Sequence, residues 1–261
     1  APAGRPNLTA SIDAVKSKSE MANEAQVGTK SIERAKAVES TGSEILKETF
    51  RLRDQGGRDL ALRYDLTVPF ARFVGMNKTL KLPFKRYQIG EVFRDGPIKL
   101  GRYRSFWQCD IDVVGIRSMK VDAEFIEIFQ KVFDELNLKI EIKINNRKIL
   151  DEIMQRLEIK NTNEVMLTID KLEKFGVETI KKELKDKGLT DNQINLLLKL
   201  ITVKGTNKEK IKILKEKLGV SNGVEEIEEI IKYNNKFTFD VSLARGLAYY
   251  TGTIYEVYLK N

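Results

Sequence analysis

Tyr103 to Gly115 reads YRSFWQCDIDVVG, and its polar residues fall on one surface. In an extended strand successive side chains alternate between faces, so Gln108, Asp110 and Asp112 share one face and Trp107, Cys109, Ile111 and Val113 the other. Taken alone, an amide and two acids in a row are the ordinary solvent-facing side of an antiparallel sheet. The preceding PFKRYQIGEVFR alternates as well, setting Arg86, Gln88 and Arg94 against Tyr87, Ile89 and Phe93. On neighbouring strands the arginines and acids would form cross-strand pairs, each contributing a few tenths of a kcal/mol. Alternatively they line a pocket in which Arg94 faces phosphate and Asp112 faces a cation or a hydrogen-bond donor. The residues by themselves leave both readings open.

Between these stretches lies RDGPIKLGRYR, broken by Gly96, Pro97 and Gly101 and carrying Lys99, Arg102 and Arg104. Glycines that let backbone amides approach a ligand, next to basic side chains, suit phosphates or an RNA backbone. A hairpin loop of this length usually has a function. It lacks the G-x-x-x-x-G-K-[ST] spacing of a phosphate-cradling loop. Neither DQGG nor ARGLAYYTGT opens the βαβ unit that a dinucleotide fingerprint requires.

The elements that position these residues emerge from the patterning. The chain has 261 residues, 41% hydrophobic and 32% charged, enough for one large domain or two modest ones. Residues 1–40 are rich in Ala, Ser, Lys and Glu and read as a weak helix or mobile arm. After Phe50 the texture turns sheet-like, and the two alternating stretches read as an antiparallel pair joined by the basic loop. Phe125, Ile128, Phe129, Val132 and Phe133 follow at helical spacing, and KIEIKIN alternates as another strand. Residues 145–236 read as a Lys/Glu/Leu/Ile-rich helical insertion module whose charge runs are solvated faces. Strand-like alternation returns over 237–261. The expected fold is α+β, with residues 41–144 and 237–261 forming one core.

Composition narrows the chemistry further. The sequence contains no histidine, which excludes Ser/His/Asp and Cys/His nucleophilic machinery and leaves a poor donor set for zinc. Its one cysteine, Cys109, excludes an intramolecular disulfide and reads as buried packing on the apolar face. A net charge of +8, from 46 Lys and Arg against 38 Asp and Glu, favours anionic partners. No apolar run reaches the roughly 18 residues of a membrane span, and the start lacks the pattern of a signal peptide, so the expected location is cytoplasmic.

Three segments then carry a resemblance. LRYDLTVPFARF, RYQIGEVFRDGPIKLGRYRSFWQCDIDVVG and SLARGLAYYTGTIYEVYL resemble, in order and approximate spacing, three signatures of histidyl-tRNA synthetases. The second is similar to the second signature of class II aminoacyl-tRNA synthetases, and the third to the histidine-specific motif. The resemblance implies an antiparallel class II catalytic sheet flanked by helices. It also implies a two-step reaction: L-histidine and ATP, with Mg2+, give histidyl-adenylate, and the histidyl group passes to tRNA(His).

Carried onto this sequence, the resemblance gives Arg94 the α-phosphate of ATP and the histidine carboxylate, and places Arg245 across that phosphate. It assigns Asp65, Leu66 and Thr67 to the α-ammonium end of histidine, Gln108 to its backbone and Asp112 to its imidazole. Tyr249 and Tyr250 close the imidazole pocket, and Arg102 joins the ATP contacts. Asp110 receives no role. Family members are homodimers. The first and third class II signatures are not found, residues 1–40 do not resemble the family's start, and Asp95 and Gly96 follow Arg94 where an acid two residues later is usual. The chain therefore reads as a truncated catalytic fragment. The alternative is an inactive relative that senses histidine or uncharged tRNA.

Overall fold

The structure is a computed structural model that describes residues 9–11, 48–98, 100–245 and 251–260. Tyr249, Tyr250, Lys99 and nearly all of residues 1–40 lie outside the described residues. The chain divides into two compact units, Ala1–Arg117 and Ser118–Asn261.

In the first unit, β2 (Arg51–Arg53) and β3 (Asp59–Leu62) form a hairpin. The turn is made by Asp54, whose Oδ1 accepts the Arg58 backbone N–H at 2.9 Å, and by Gly57 at φ +77°, a left-handed conformation that glycine adopts without a Cβ clash. The short β1 (Thr9–Ser11) pairs with the other edge of β3. Next comes α1 (Thr67–Met76), which starts where the Asp65 carboxylate accepts the Val68 N–H at 2.8 Å. Pro69 is harmless in the first turn, where its missing N–H has no intrahelical partner to lose. The long strands β4 (Phe84–Phe93) and β5 (Ser105–Val114) pair antiparallel over their full length, with Arg86 opposite Asp112, Gln88 opposite Asp110 and Gly90 opposite Gln108. Their connection is closed by the Arg94 N–H donating to the Arg104 carbonyl at 2.9 Å.

The β4–β5 sheet has its sides reversed from the expectation for Cys109. Cys109 is exposed, Trp107 is 69% exposed and Tyr87 80%, whereas Gln108, Asp110 and Asp112 are partly buried. The cause is α1 and the segment leading into it. Phe70 of α1 stacks on Phe84 at 6.1 Å between centroids, and a Cβ at Gly90 would lie 3.1 Å from Arg63 Nη2 and 3.5 Å from Leu66 Cδ2. Phe84, Arg86 and Gly90 all stand on the face that carries Gln108 and Asp112, so the polar face is the covered one.

In the second unit Ser118 caps α2 (Met119–Glu135) by accepting the Lys120 N–H. The helix buries Met119, Ala123 and Ile126, a stripe offset from the expected one, and Val132 is exposed. Phe125 and Phe129 instead meet the ring of Tyr255 edge-on, at 6.3 and 5.9 Å. Strand β6 (Ile140–Asn146) lies between β7 (Thr238–Phe239) and β8 (Thr253–Leu259), antiparallel to β8 but parallel to β7. The parallel pair is possible because helices separate β6 from β7 and supply the crossover.

Those helices are α3 (Arg147–Arg156), α4 (Thr162–Ile169), α5 (Leu172–Asp186, interrupted at Gly176), α6 (Asp191–Ile201), α7 (Asn207–Leu218) and α8 (Asn222–Tyr233). Thr190 with Gln193 and Thr206 with Glu209 form capping boxes at α6 and α7, each satisfying N–H groups that the helix start leaves orphaned. Helices and sheet share one core, in which Ile126, Ile144, Leu184, Leu197, Ile227 and Phe239 are fully buried. Each such side chain contributes about 1.5–3 kcal/mol relative to exposure. Among the described residues no helix is long and apolar enough to cross a membrane.

Candidate active site

In the first unit the covered face of β4 and β5 carries the candidates Gln108 and Asp112, and Leu66 closes over it. Asp112 is held by Arg86: Nε and Nη2 of the guanidinium lie 2.9 and 2.8 Å from the same carboxylate oxygen, Oδ2. Arg86 Nη2 also donates to the Leu66 carbonyl at 3.0 Å, and Nη1 donates to Gln88 Oε1. Its guanidinium carbon sits 3.9 Å from the centroid of the Phe70 ring. The cross-strand pairing that the sequence left open is thus realised at Arg86 and Asp112. It is a largely covered pair, at 14% and 22% side-chain exposure, and so less screened than a surface pair.

Arg94 emerges at the end of β4 in a different setting. Its guanidinium packs over Tyr64 at 4.4 Å and Phe106 at 4.9 Å, and Nε donates to the Tyr64 carbonyl at 3.4 Å. That bond uses Nε, and the two Nη groups make no hydrogen bond to a described residue. A planar fork fixed by stacking, with its outer donors uncommitted, is suited to bidentate binding of a phosphate or carboxylate. Burial raises the Tyr64 phenol above its ordinary value, while the Arg94 charge opposes that shift.

Gln108 is the unusual member. Its Oε1 is buried and has no hydrogen-bond partner among the described residues, a costly state for an acceptor unless a donor arrives. Asp110, on the same face, is held above the ordinary carboxylate range by burial first and then by the negative charges of Asp112 and Asp65, which the Arg86 and Arg94 charges oppose. Asp65 serves the start of α1, and Thr67 is exposed in the first turn of that helix. Leu66 is fully buried, so its side chain is core and its carbonyl is engaged by Arg86. Arg102 is exposed on the β4–β5 connection.

Arg245 lies in the second unit, where Nη1 is 3.3 Å from Glu256 Oε1. The neighbouring Asp170 carboxyl is raised by burial, a shift that the Arg245 charge opposes. The approach to Arg245 is held by Asn145, fully buried on β6, whose Nδ2 donates to the carbonyls of Val241 and Leu243 at 2.9 and 2.8 Å. Tyr249 and Tyr250 fall outside the described residues. Arg86 is absent from the sequence-derived site. The cue for Arg86 was its register opposite Asp112, which alternation alone does not supply. Among the described residues no group of three or more Cys, Asp or Glu side chains is placed to hold a metal ion.

Helices on paired strands, with arginine, amide and acid converging on the covered face of a long hairpin, define a class: an α+β fold of the class II aminoacyl-tRNA synthetase kind. The sequence family described as histidyl-tRNA synthetase matches residues 25–261. The chain belongs to the histidyl-tRNA synthetase family. The match starts inside the segment 1–40 that sequence reading had set apart from the family.

Histidine–tRNA ligase 1 of Bacillus anthracis is 45% identical over 231 residues, covering 84% of this chain and 54% of that protein. The histidine–tRNA ligase of Helicobacter pylori is 41% identical over 236 residues, with 84% and 53% covered. The chain spans about half the length of these curated relatives. The crystal structure of histidyl-tRNA synthetase from Nostoc sp. PCC 7120 superposes with a TM-score of 0.72 at 30% identity, over 99% of this chain and 64% of that one.

Proposed function

We propose that this chain carries the histidine-activating part of a histidine–tRNA ligase, and that the covered face of β4 and β5 receives L-histidine and the α-phosphate of ATP. The observation that carries the reading is the buried Gln108 oxygen, without a hydrogen-bond partner among the described residues, on the face that also bears Asp112, together with an Arg94 whose Nη groups make no hydrogen bond to a described residue. An orphan acceptor calls for a donor such as an ammonium or N–H, and an orphan fork calls for an anion. An amino acid and a nucleotide phosphate supply both.

In the proposed reaction a histidine carboxylate oxygen attacks the α-phosphorus of ATP. The bond from that phosphorus to the bridging oxygen breaks, and pyrophosphate leaves with histidyl-adenylate formed. The attack requires little proton transfer, so the barrier falls mainly through positioning and positive charge around the phosphate. Arg94 would supply that charge, and the family motifs assign Arg245 to the same phosphate and Arg102 to ATP. Asp65, the Leu66 backbone and Thr67 would take the ammonium end, Gln108 the backbone, and Asp112 the imidazole with Tyr249 and Tyr250 closing over it. Mg2+ would enter with the β- and γ-phosphates as part of the nucleotide substrate. The adenylate would then acylate tRNA(His), with the helical module of residues 145–236 as the surface for the acceptor arm. The division into 1–40, a core of 41–144 with 237–261, and that module follows the same reading, as do a cytoplasmic site of action and homodimer formation in the longer protein.

Histidine-dependent ATP–pyrophosphate exchange tests the reaction. The expected result is label entering ATP only when histidine is present, and an Arg94→Ala loss of about 100-fold or more, the scale on which removing a transition-state donor acts. Histidine binding without exchange above background would instead support a sensing relative that does not activate its ligand.

A further inference from the structure

We propose that Arg86 is the positioning residue of the histidine pocket, setting the distance between the group that reads the imidazole and the turn that holds the ammonium. The inference rests on the histidine pocket proposed above. A single guanidinium binds Asp112 Oδ2 through Nε and Nη2, at 2.9 and 2.8 Å, and the Leu66 carbonyl through Nη2 at 3.0 Å. Leu66 lies between Asp65 and Thr67, so Arg86 ties β5 directly to the turn at the start of α1. The guanidinium has little freedom of its own. Phe70 lies 3.9 Å beneath it, and Nη1 is committed to Gln88.

The choice of oxygen matters as much as the pairing. Among the described residues the contacts to Asp112 all fall on Oδ2, so Oδ1 is the oxygen left to accept an N–H from a ligand. A carboxylate pinned through one oxygen cannot rotate freely, and its second oxygen points in a fixed direction. Lysine could neutralise Asp112, but a single ammonium cannot reproduce a planar fork that serves a carboxylate and a carbonyl together. A pair that served only the sheet would stabilise the hairpin and leave ligand affinity alone.

The test is a double-mutant cycle read by calorimetric titration of the whole chain with L-histidine and, separately, with ATP, alongside thermal melting of every variant. Arg86→Met keeps an apolar stem over Phe70 and should weaken histidine about tenfold, with ATP affinity held within about twofold. Arg86→Met combined with Asp112→Asn should weaken histidine by less than the product of the two single losses, because part of the Arg86 effect runs through Asp112. Arg86→Lys, which preserves charge and serves if the Met variant does not fold, should stay folded and still lose at least about threefold.

Equal histidine affinity in Arg86→Lys and the unaltered chain overturns the inference. So do losses that multiply in the double variant, or a fall in ATP affinity that matches the fall for histidine. An unaltered chain that binds ATP but no histidine overturns the pocket itself and this inference with it.

Discussion

Asp110 stands between Gln108 and Asp112 on the covered face, and its charge is poorly accommodated there. Burial, Asp112 and Asp65 all raise its carboxyl, against the pull of Arg86 and Arg94. A carboxyl raised in the folded state contributes stability that is complete below the unfolded value near 3.8 and is lost as pH rises through the folded value. At neutral pH its ionised form is therefore a cost. Asp110→Asn should raise the thermal midpoint at pH 7, and the advantage over the unaltered chain should shrink as pH falls and vanish below the ordinary carboxylate range. Melting curves across pH check this, and an advantage that persists unchanged at low pH contradicts it. Asp112 gives a prediction of the other kind. Asp112→Asn removes a charge-assisted acceptor and should weaken histidine binding by about 1–3 kcal/mol, measured by calorimetry.

At the scale of elements, the structure explains which parts of the site could be read from alternation and which could not. The strands containing Arg86, Gln88, Gln108 and Asp112 were legible because a period of two is hard to imitate over ten residues. Which face is covered was not legible. Both faces of β5 carry large or polar groups, and the choice is made by α1, whose Phe70 and preceding Leu66 close over the Arg86 side. For the same reason Cys109, placed by its apolar neighbours on an inner face, is exposed. The stripe of α2 was misplaced because Phe125 and Phe129 are large enough to reach Tyr255 from the flank of the helix.

In the second unit the buried Asn145 side chain joins β6 to the segment leading to Arg245. Asn145→Leu would leave the Val241 and Leu243 carbonyls without their donor in a buried site, at a cost of about 1–3 kcal/mol. Denaturant unfolding measures that loss. An unchanged midpoint would show that this segment is held by other contacts.

For the whole molecule, charge and orphaned groups lead to separate expectations. With a net charge of +8, binding of tRNA should weaken steeply as salt rises, because neutralised phosphates release counterions. Titrations at two salt concentrations test this, and a salt-independent affinity argues against the helical module as a phosphate-facing surface. The central claim, that the covered face of β4 and β5 is a histidine pocket, turns on Gln108. Its Oε1 is buried with no hydrogen-bond partner among the described residues, so Gln108→Leu removes an acceptor whose desolvation is uncompensated in the unliganded fold. The deciding measurement is histidine affinity and thermal stability of Gln108→Leu, side by side with the unaltered chain. The expected result is a thermal midpoint equal to or above that of the unaltered chain, with histidine affinity reduced at least about tenfold. A variant that melts earlier and binds histidine as tightly as before would contradict it.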